Sequence, residues 1–169
     1  VDLKLNEDFK IKNLAMAIEA SKLCGLKEQL IFRSLKKLKD VNGRLELIRR
    51  YPNDVKVFID YAHTPDALLE ALKSLKNNYG NNISLVFGCG GERDQTKRPM
   101  MAKIANEKNK KIYITDDNPR TEKPSTIRKA IIGSNKKNFI EIPSRKRAIE
   151  IAVKNLNGNE ILLIAGKGH

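Results

Sequence analysis

The chain has little cysteine, few aromatics, almost no histidine and no long apolar run. Its two cysteines, Cys24 and Cys89, are too few for a disulfide framework or a thiolate metal site, and they read as reduced thiols of a cytoplasmic protein. Two histidines exclude a histidine-rich metal centre. There is no Trp, and aromatics make up 5% of the chain, so the stacking platforms of a single-strand nucleic-acid binder are missing. No apolar stretch nears the roughly 18 residues that span a bilayer. The start, Val1-Asp2-Leu3-Lys4, has neither a Met nor the apolar core of a signal peptide.

What is present is a chain of 169 residues, 40% hydrophobic, with 33 Lys and Arg against 20 Asp and Glu, a net charge of +13. The length suits one domain plus part of another, and the apolar content suffices for a packed core. Much of the excess charge is lysine scattered among Asn and Ile, as at Lys108 to Lys111 and Lys136-Lys137, and reads as solvated surface. A basic nucleic-acid-binding module is the contrasting reading. It would betray itself by a steep salt slope in filter binding.

The first 40 residues carry helical spacing: Ile11, Leu14, Ala15, Ile18 and Leu23, a Cys24-Gly25 stop, then Leu30, Ile31, Ser34, Leu35 and Leu38. Asp40-Val41-Asn42-Gly43 is a turn signal and a candidate domain boundary. Beyond it strands and helices alternate. Strands are expected over 45–49, 55–59, 83–87, 111–115, 139–142 and 161–165. Helices are expected over 65–77 (Thr64 as N-cap), 99–109, 125–132 and 145–155. Repeated strand–helix units predict an α/β fold: a Rossmann-like, mostly parallel sheet with flanking helices, preceded by a helical pair.

Ligands of such sheets bind beyond the carboxyl ends of the strands. Four segments should converge there: Asp60 to His63, Gly88 to Asp94, Asp116 to Arg120 and Gly166 to His169. The glycines of the second let backbone amides approach an anion, and its Arg93 can clamp a carboxylate or phosphate. The same segment is also what a tight strand-to-helix turn needs. In Asp117-Asn118-Pro119-Arg120, a carboxylate, an amide and a guanidinium within four residues suit a zwitterion, though Asp-Asn-Pro equally favours an Asx turn. Asp60 could take a ribose hydroxyl and His63 a phosphate or base, or the pair could cap a helix and sit on the surface. Gly166-Lys167-Gly168 lacks the spacing of a phosphate loop.

In order along the chain, GRLE (43–46), DYAHTPD (60–66), FGCGGERD (87–94), KRPMM (97–101), TDDNPRTE (115–122) and AGKGH (165–169) resemble the Mur ligase family, its diaminopimelate-adding members above all. The resemblance covers nearly the whole chain. It implies residues 1–42 from the end of the family's central ATPase domain and 43–169 from its C-terminal domain. It implies ATP-dependent amide formation through an acyl phosphate, the substrates being UDP-MurNAc-L-Ala-D-Glu, meso-diaminopimelate and ATP. Asn13, Arg44, Asp60 and His63 fall on the ATP side; Lys10 stands where the family more often has Asn. Arg93, Asp117, Asn118, Pro119, Arg120 and Gly166 match the amino acid site, and DNPR is the signature for diaminopimelate. No catalytic or metal residue is assigned within the chain.

The resemblance also implies pieces not in these 169 residues: a UDP-binding domain, the phosphate loop, the Mg²⁺ ligands, a modified lysine, and a Glu after His169. The segment is therefore expected to be inactive alone, to work with the rest of its own ligase chain, and to expose apolar surface near Leu14 and Leu30. No nucleic acid and no membrane are expected as partners. A lysine-adding, cyanophycin or folylpolyglutamate ligase is the related alternative, which DNPR and GCGGERD disfavour.

Overall fold

The computed structural model describes residues 8–39, 41–133 and 138–168. Asp40, Lys136, Lys137 and His169, named above, lie outside the described residues. The chain forms two compact units, Val1–Val41 and Asn42–His169.

The first unit holds α1 (Asp8–Leu23) and α2 (Glu28–Leu35). Gly25, at φ +81°, turns the chain between them, and Lys22 reaches both Glu19 (3.3 Å) and Glu28 (3.1 Å), tying the last turn of α1 to the first of α2. The apolar stripes of the two helices are less buried than their sequence spacing predicts. Leu14 and Ile18 are half-buried, but Ile11, Leu23 and Leu30 are exposed. Asn13 lies on the exposed surface of α1.

The second unit is a six-stranded sheet, order β1-β2-β6-β3-β4-β5. The strands are β1 (Glu46–Arg50), β2 (Lys56–Asp60), β3 (Ile83–Phe87), β4 (Lys111–Ile114), β5 (Phe139–Glu141) and β6 (Ile161–Ala165). The helices between them are α3 (Pro65–Tyr79), α4 (Lys97–Lys108), α5 (Pro124–Ile132) and α6 (Arg145–Lys154). Only β1 is antiparallel. The central β3 and β6 are buried at every position, as strands covered on both faces are, and all but Ser84 of their residues are apolar.

Strand alternation sorts the core. Val57, Val86, Tyr113, Leu162 and Ile164 face α6, whose Ala148 and Ala152 let it approach closely. Residues of opposite parity, among them Phe58, Leu85, Phe87, Ile112, Ile114 and Leu163, are buried beneath α3, α4 and α5, which pack side by side. Right-handed crossovers explain the split. The chain steps one way through β3, β4 and β5, then reverses through α6 and lays β6 between β2 and β3.

That reversal brings the carboxyl ends of β2, β6, β3 and β4 together. Asp60 is level with Ala165, Val86 with Ile164, and Phe87 with Ile114. The opposite edge is structural: the Lys110 ammonium meets the buried Glu160 at 2.6 Å. Burial pushes the Glu160 carboxyl up, but Lys110 and the Asn157 N–H outweigh it and hold it below the usual range.

Candidate functional site

At the end of β2, Asp60 is buried and both carboxylate oxygens take backbone amides: Oδ2 from Leu45 N–H (2.6 Å) and Oδ1 from Ala62 N–H (2.6 Å). Asp60 does not cap α3. Thr64 does, accepting Ala67 N–H at 3.3 Å. Asp60 instead fastens the Gly43–Leu45 segment to the sheet, joined by the Tyr61 N–H bond to the Gly43 carbonyl (2.8 Å). This places the Arg44 guanidinium 4.6 Å above the Tyr61 ring, in stacking range. Tyr61 meets His63 edge-on at 4.8 Å. Nδ1 of His63 lies 2.9 Å from the Tyr61 carbonyl. A carbonyl only accepts, so this contact requires Nδ1 as the donor.

The loops after β3 and β4 are stitched together. Gly91 N–H donates to the Asn118 carbonyl (2.9 Å), and Arg120 Nη1 donates back to the Gly91 carbonyl (2.7 Å). A methyl group on Gly91 would overlap the Pro119 carbonyl oxygen, so only glycine permits this approach. Two glutamates cross between the loops. Glu92 accepts from the Thr121 hydroxyl and amide, while Glu122 accepts the Glu92 N–H at 2.6 Å. Arg98 and the Glu92 amide hold the Glu122 carboxyl below the usual carboxylate range. Upstream, Arg128 binds both Asp116 and Glu141 (2.7 Å), fixing the start of the second loop.

Asp117 is mostly buried, 3.8 Å from the Lys167 ammonium. Gly166, at φ +114°, passes so close that a methyl there would stand 3.1 Å from Asp117 Oδ2. Beside it, Arg145 Nη2 donates to the Ala165 carbonyl at 3.0 Å. Burial lowers the Arg145 guanidinium, and the Asp117 charge opposes that.

The four convergent segments form one edge carrying Asp60, His63, Arg93, Asp117, Asn118, Pro119, Arg120 and Gly166, and the Gly43–Leu45 segment fastened to it adds Arg44; Asn13 belongs to the other unit. Among the described residues Arg93 has no hydrogen-bond or ion-pair partner, Arg44 has only its ring contact, and Arg120 has no anion. No group of His, Cys, Asp and Glu among the described residues is placed to hold a metal ion.

Cys89 is buried at the base of the edge, and burial pushes its thiol up to about 11. Thiolate is the reactive form, so at about pH 8 only about one part in a thousand would be available. Iodoacetamide at that pH should label the exposed Cys24 and spare Cys89, with both labelled after unfolding. Mass spectrometry checks this, and rapid native labelling of Cys89 would contradict the packing.

Sequence reasoning gave no role to Arg98, Glu122, Arg128 or Arg145, although KRPMM and TDDNPRTE contain the first two. For Arg98 a signal existed. Residues 98, 101, 102 and 105 share one helical face (i, i+3, i+4, i+7), and Met101, Ala102 and Ala105 are apolar, so Arg98 is a charge on a core stripe.

Fold and site define an open α/β domain with helices on both faces and a cation-bearing crevice at the strand ends. The family model described as Mur ligase, glutamate ligase domain, matches residues 43–168, and the chain belongs to the Mur ligase family. It is 45% identical over 171 residues to the UDP-N-acetylmuramoyl-L-alanyl-D-glutamate–2,6-diaminopimelate ligase of Rickettsia bellii (strain RML369-C), covering 99% of this chain and 35% of that one. A solved structure of a ligase with the same name superposes with TM-score 0.71 at 37% identity, over 100% of this chain and 35% of the other. The UDP-N-acetylmuramate–alanine ligase of Thermotoga maritima shares the fold, with TM-score 0.67 and 21% identity over 99% and 36%. The chain spans about a third of the length of the curated relatives it matches.

Proposed function

We propose that this chain is the amino-acid-binding part of a cytoplasmic ligase that joins meso-diaminopimelate to UDP-MurNAc-L-Ala-D-Glu at the expense of ATP. Residues 1–42 are the end of its central domain and 43–169 its C-terminal domain. The observation that carries this is the set of three arginines, Arg44, Arg93 and Arg120, on one edge with no anion of the described residues to neutralise them. Guanidinium donors are suited to carboxylate and phosphate.

Arg93 and Arg120 take the far carboxylate of diaminopimelate. Asp117 and Asn118 accept from its ammonium, held in place by Pro119 and by the close passage of Gly166. Arg44 reaches a phosphate of ATP, with Asp60 and His63 on the nucleotide side. The γ-phosphoryl group of ATP passes to an oxygen of the D-Glu carboxylate, giving an acyl phosphate and ADP; the amino acid's amine then attacks the carbonyl carbon, and a proton and inorganic phosphate leave as the amide forms. The chain's part in this is to orient the attacking amine. The described residues offer no cluster of carboxylates for Mg²⁺.

Lysine lacks the far carboxylate and would leave two arginines unpaired, a loss of roughly 2–5 kcal/mol when the group is desolvated. Phosphate release by the full-length ligase, with UDP-MurNAc-L-Ala-D-Glu and ATP, should show kcat/KM for meso-diaminopimelate at least about 30-fold above that for L-lysine. Equal values would reject the assignment.

A further inference from the structure

Arg98 is among the largest fully buried side chains of the described residues, only 1% exposed. It sits on the first turn of α4, in the apolar row with Met101, Ala102 and Ala105. A charge there is not what the core requires. An apolar side chain of similar volume in place of a buried ion pair is often neutral or stabilising, and Arg98 even leaves its Nε buried without a hydrogen bond. What the guanidinium does reach is the seam between the two loops. Nη2 donates to Glu122 Oε1 at 2.8 Å and lies 3.4 Å from the Gly90 carbonyl. The same Glu122 oxygen takes the Glu92 N–H. One carboxylate oxygen therefore joins α4, the loop of Arg93 and the loop of Arg120. Arg93 is the next residue after Glu92, and Arg120 lies two before Glu122.

We propose that Arg98, through Glu122, is a positioning residue for the amino acid substrate: it fixes the spacing of Arg93 and Arg120 so that both meet one carboxylate. The proposal rests on the reading that these loops take diaminopimelate. A clamp of two guanidiniums on one carboxylate tolerates displacements of only about half an ångström, and an ion pair between the buried Arg98 and the half-buried Glu122 supplies that rigidity without touching the ligand.

The test uses the full-length ligase with Arg98→Met and Glu122→Gln, each also combined with Arg120→Ala. Arg98→Met and Glu122→Gln should raise KM for diaminopimelate about tenfold or more, with KM for ATP within about twofold and Tm nearly unchanged. In the Arg120→Ala background the same changes should add less than about twofold, because the spacing they control no longer matters. Glu122→Gln keeps size and acceptor, so it carries the test if Arg98→Met does not fold. A lowered Tm with unchanged KM makes the pair a structural brace and overturns the proposal. If Arg120→Ala raises KM while Glu122→Gln does not, the proposal alone falls. If Arg120→Ala leaves KM unmoved, the substrate reading falls with it.

Discussion

Arg120→Ala in the full-length ligase is expected to raise KM for diaminopimelate by about 30-fold to several-thousand-fold, with KM for ATP changed by less than about twofold. The range reflects a ligand carboxylate left facing Arg93 alone in a partly desolvated crevice. Two other consequences of the substitution can be separated from this one. The backbone at Arg120 has φ +51°, but alanine and lysine share that conformational cost, so it cancels when the variants are compared with each other. The bond from Nη1 to the Gly91 carbonyl is also lost, and a hydrogen bond from a charged donor contributes about 1.5–3 kcal/mol, readable as a fall in stability without substrate. Arg120→Lys keeps the charge and loses the planar fork, so it should fall between wild type and alanine. Steady-state kinetics with each substrate varied in turn decides it. An unchanged KM for diaminopimelate in both variants would remove Arg120 from the site.

Much of this edge was legible because its determinants are local. β3 and β6 are apolar runs bounded by polar turns, and their observed limits are the predicted ones. Thr64 before Pro65 announced a helix start, and the side chain does cap it. The convergence of four loops followed from parallel strand–helix units alone. Less legible were features set by distant residues. The insertion of β6 between β2 and β3 is decided by packing of α6 on the far face, which no local window encodes. α4 starts at Lys97 rather than Pro99, since proline is tolerated in a first turn whose amides have no intrahelical partner. The crossed Glu92 and Glu122 contacts span about thirty residues of sequence and look like ordinary surface charges until the two loops meet. Asp60 was open between capping and ligand binding, and its bonds to Leu45 and Ala62 show a third use, holding the segment that carries Arg44.

Gly91→Ala tests whether the approach of those two loops matters for function. The added methyl would overlap the Pro119 carbonyl oxygen. A backbone oxygen cannot rotate away as a side chain can, so the loops must part. Parting them stretches the Gly91 N–H bond to Asn118 and the Arg120 bond to Gly91 together. Overpacking of this kind costs about 1–3 kcal/mol, and because both bonds orient the arginine clamp, KM for diaminopimelate should rise about tenfold or more. Gly158→Ala is the matched control. Its new methyl would meet Asn53 at 3.6 Å, an ordinary contact, before the start of β6 and so at the opposite end of that strand from Gly166, and stability should stay within about 0.5 kcal/mol. Urea unfolding and diaminopimelate kinetics on both variants separate the outcomes. Gly91→Ala with wild-type stability and wild-type KM would mean that the loops do not meet as described, and that the two arginines are not held to a common carboxylate by this seam.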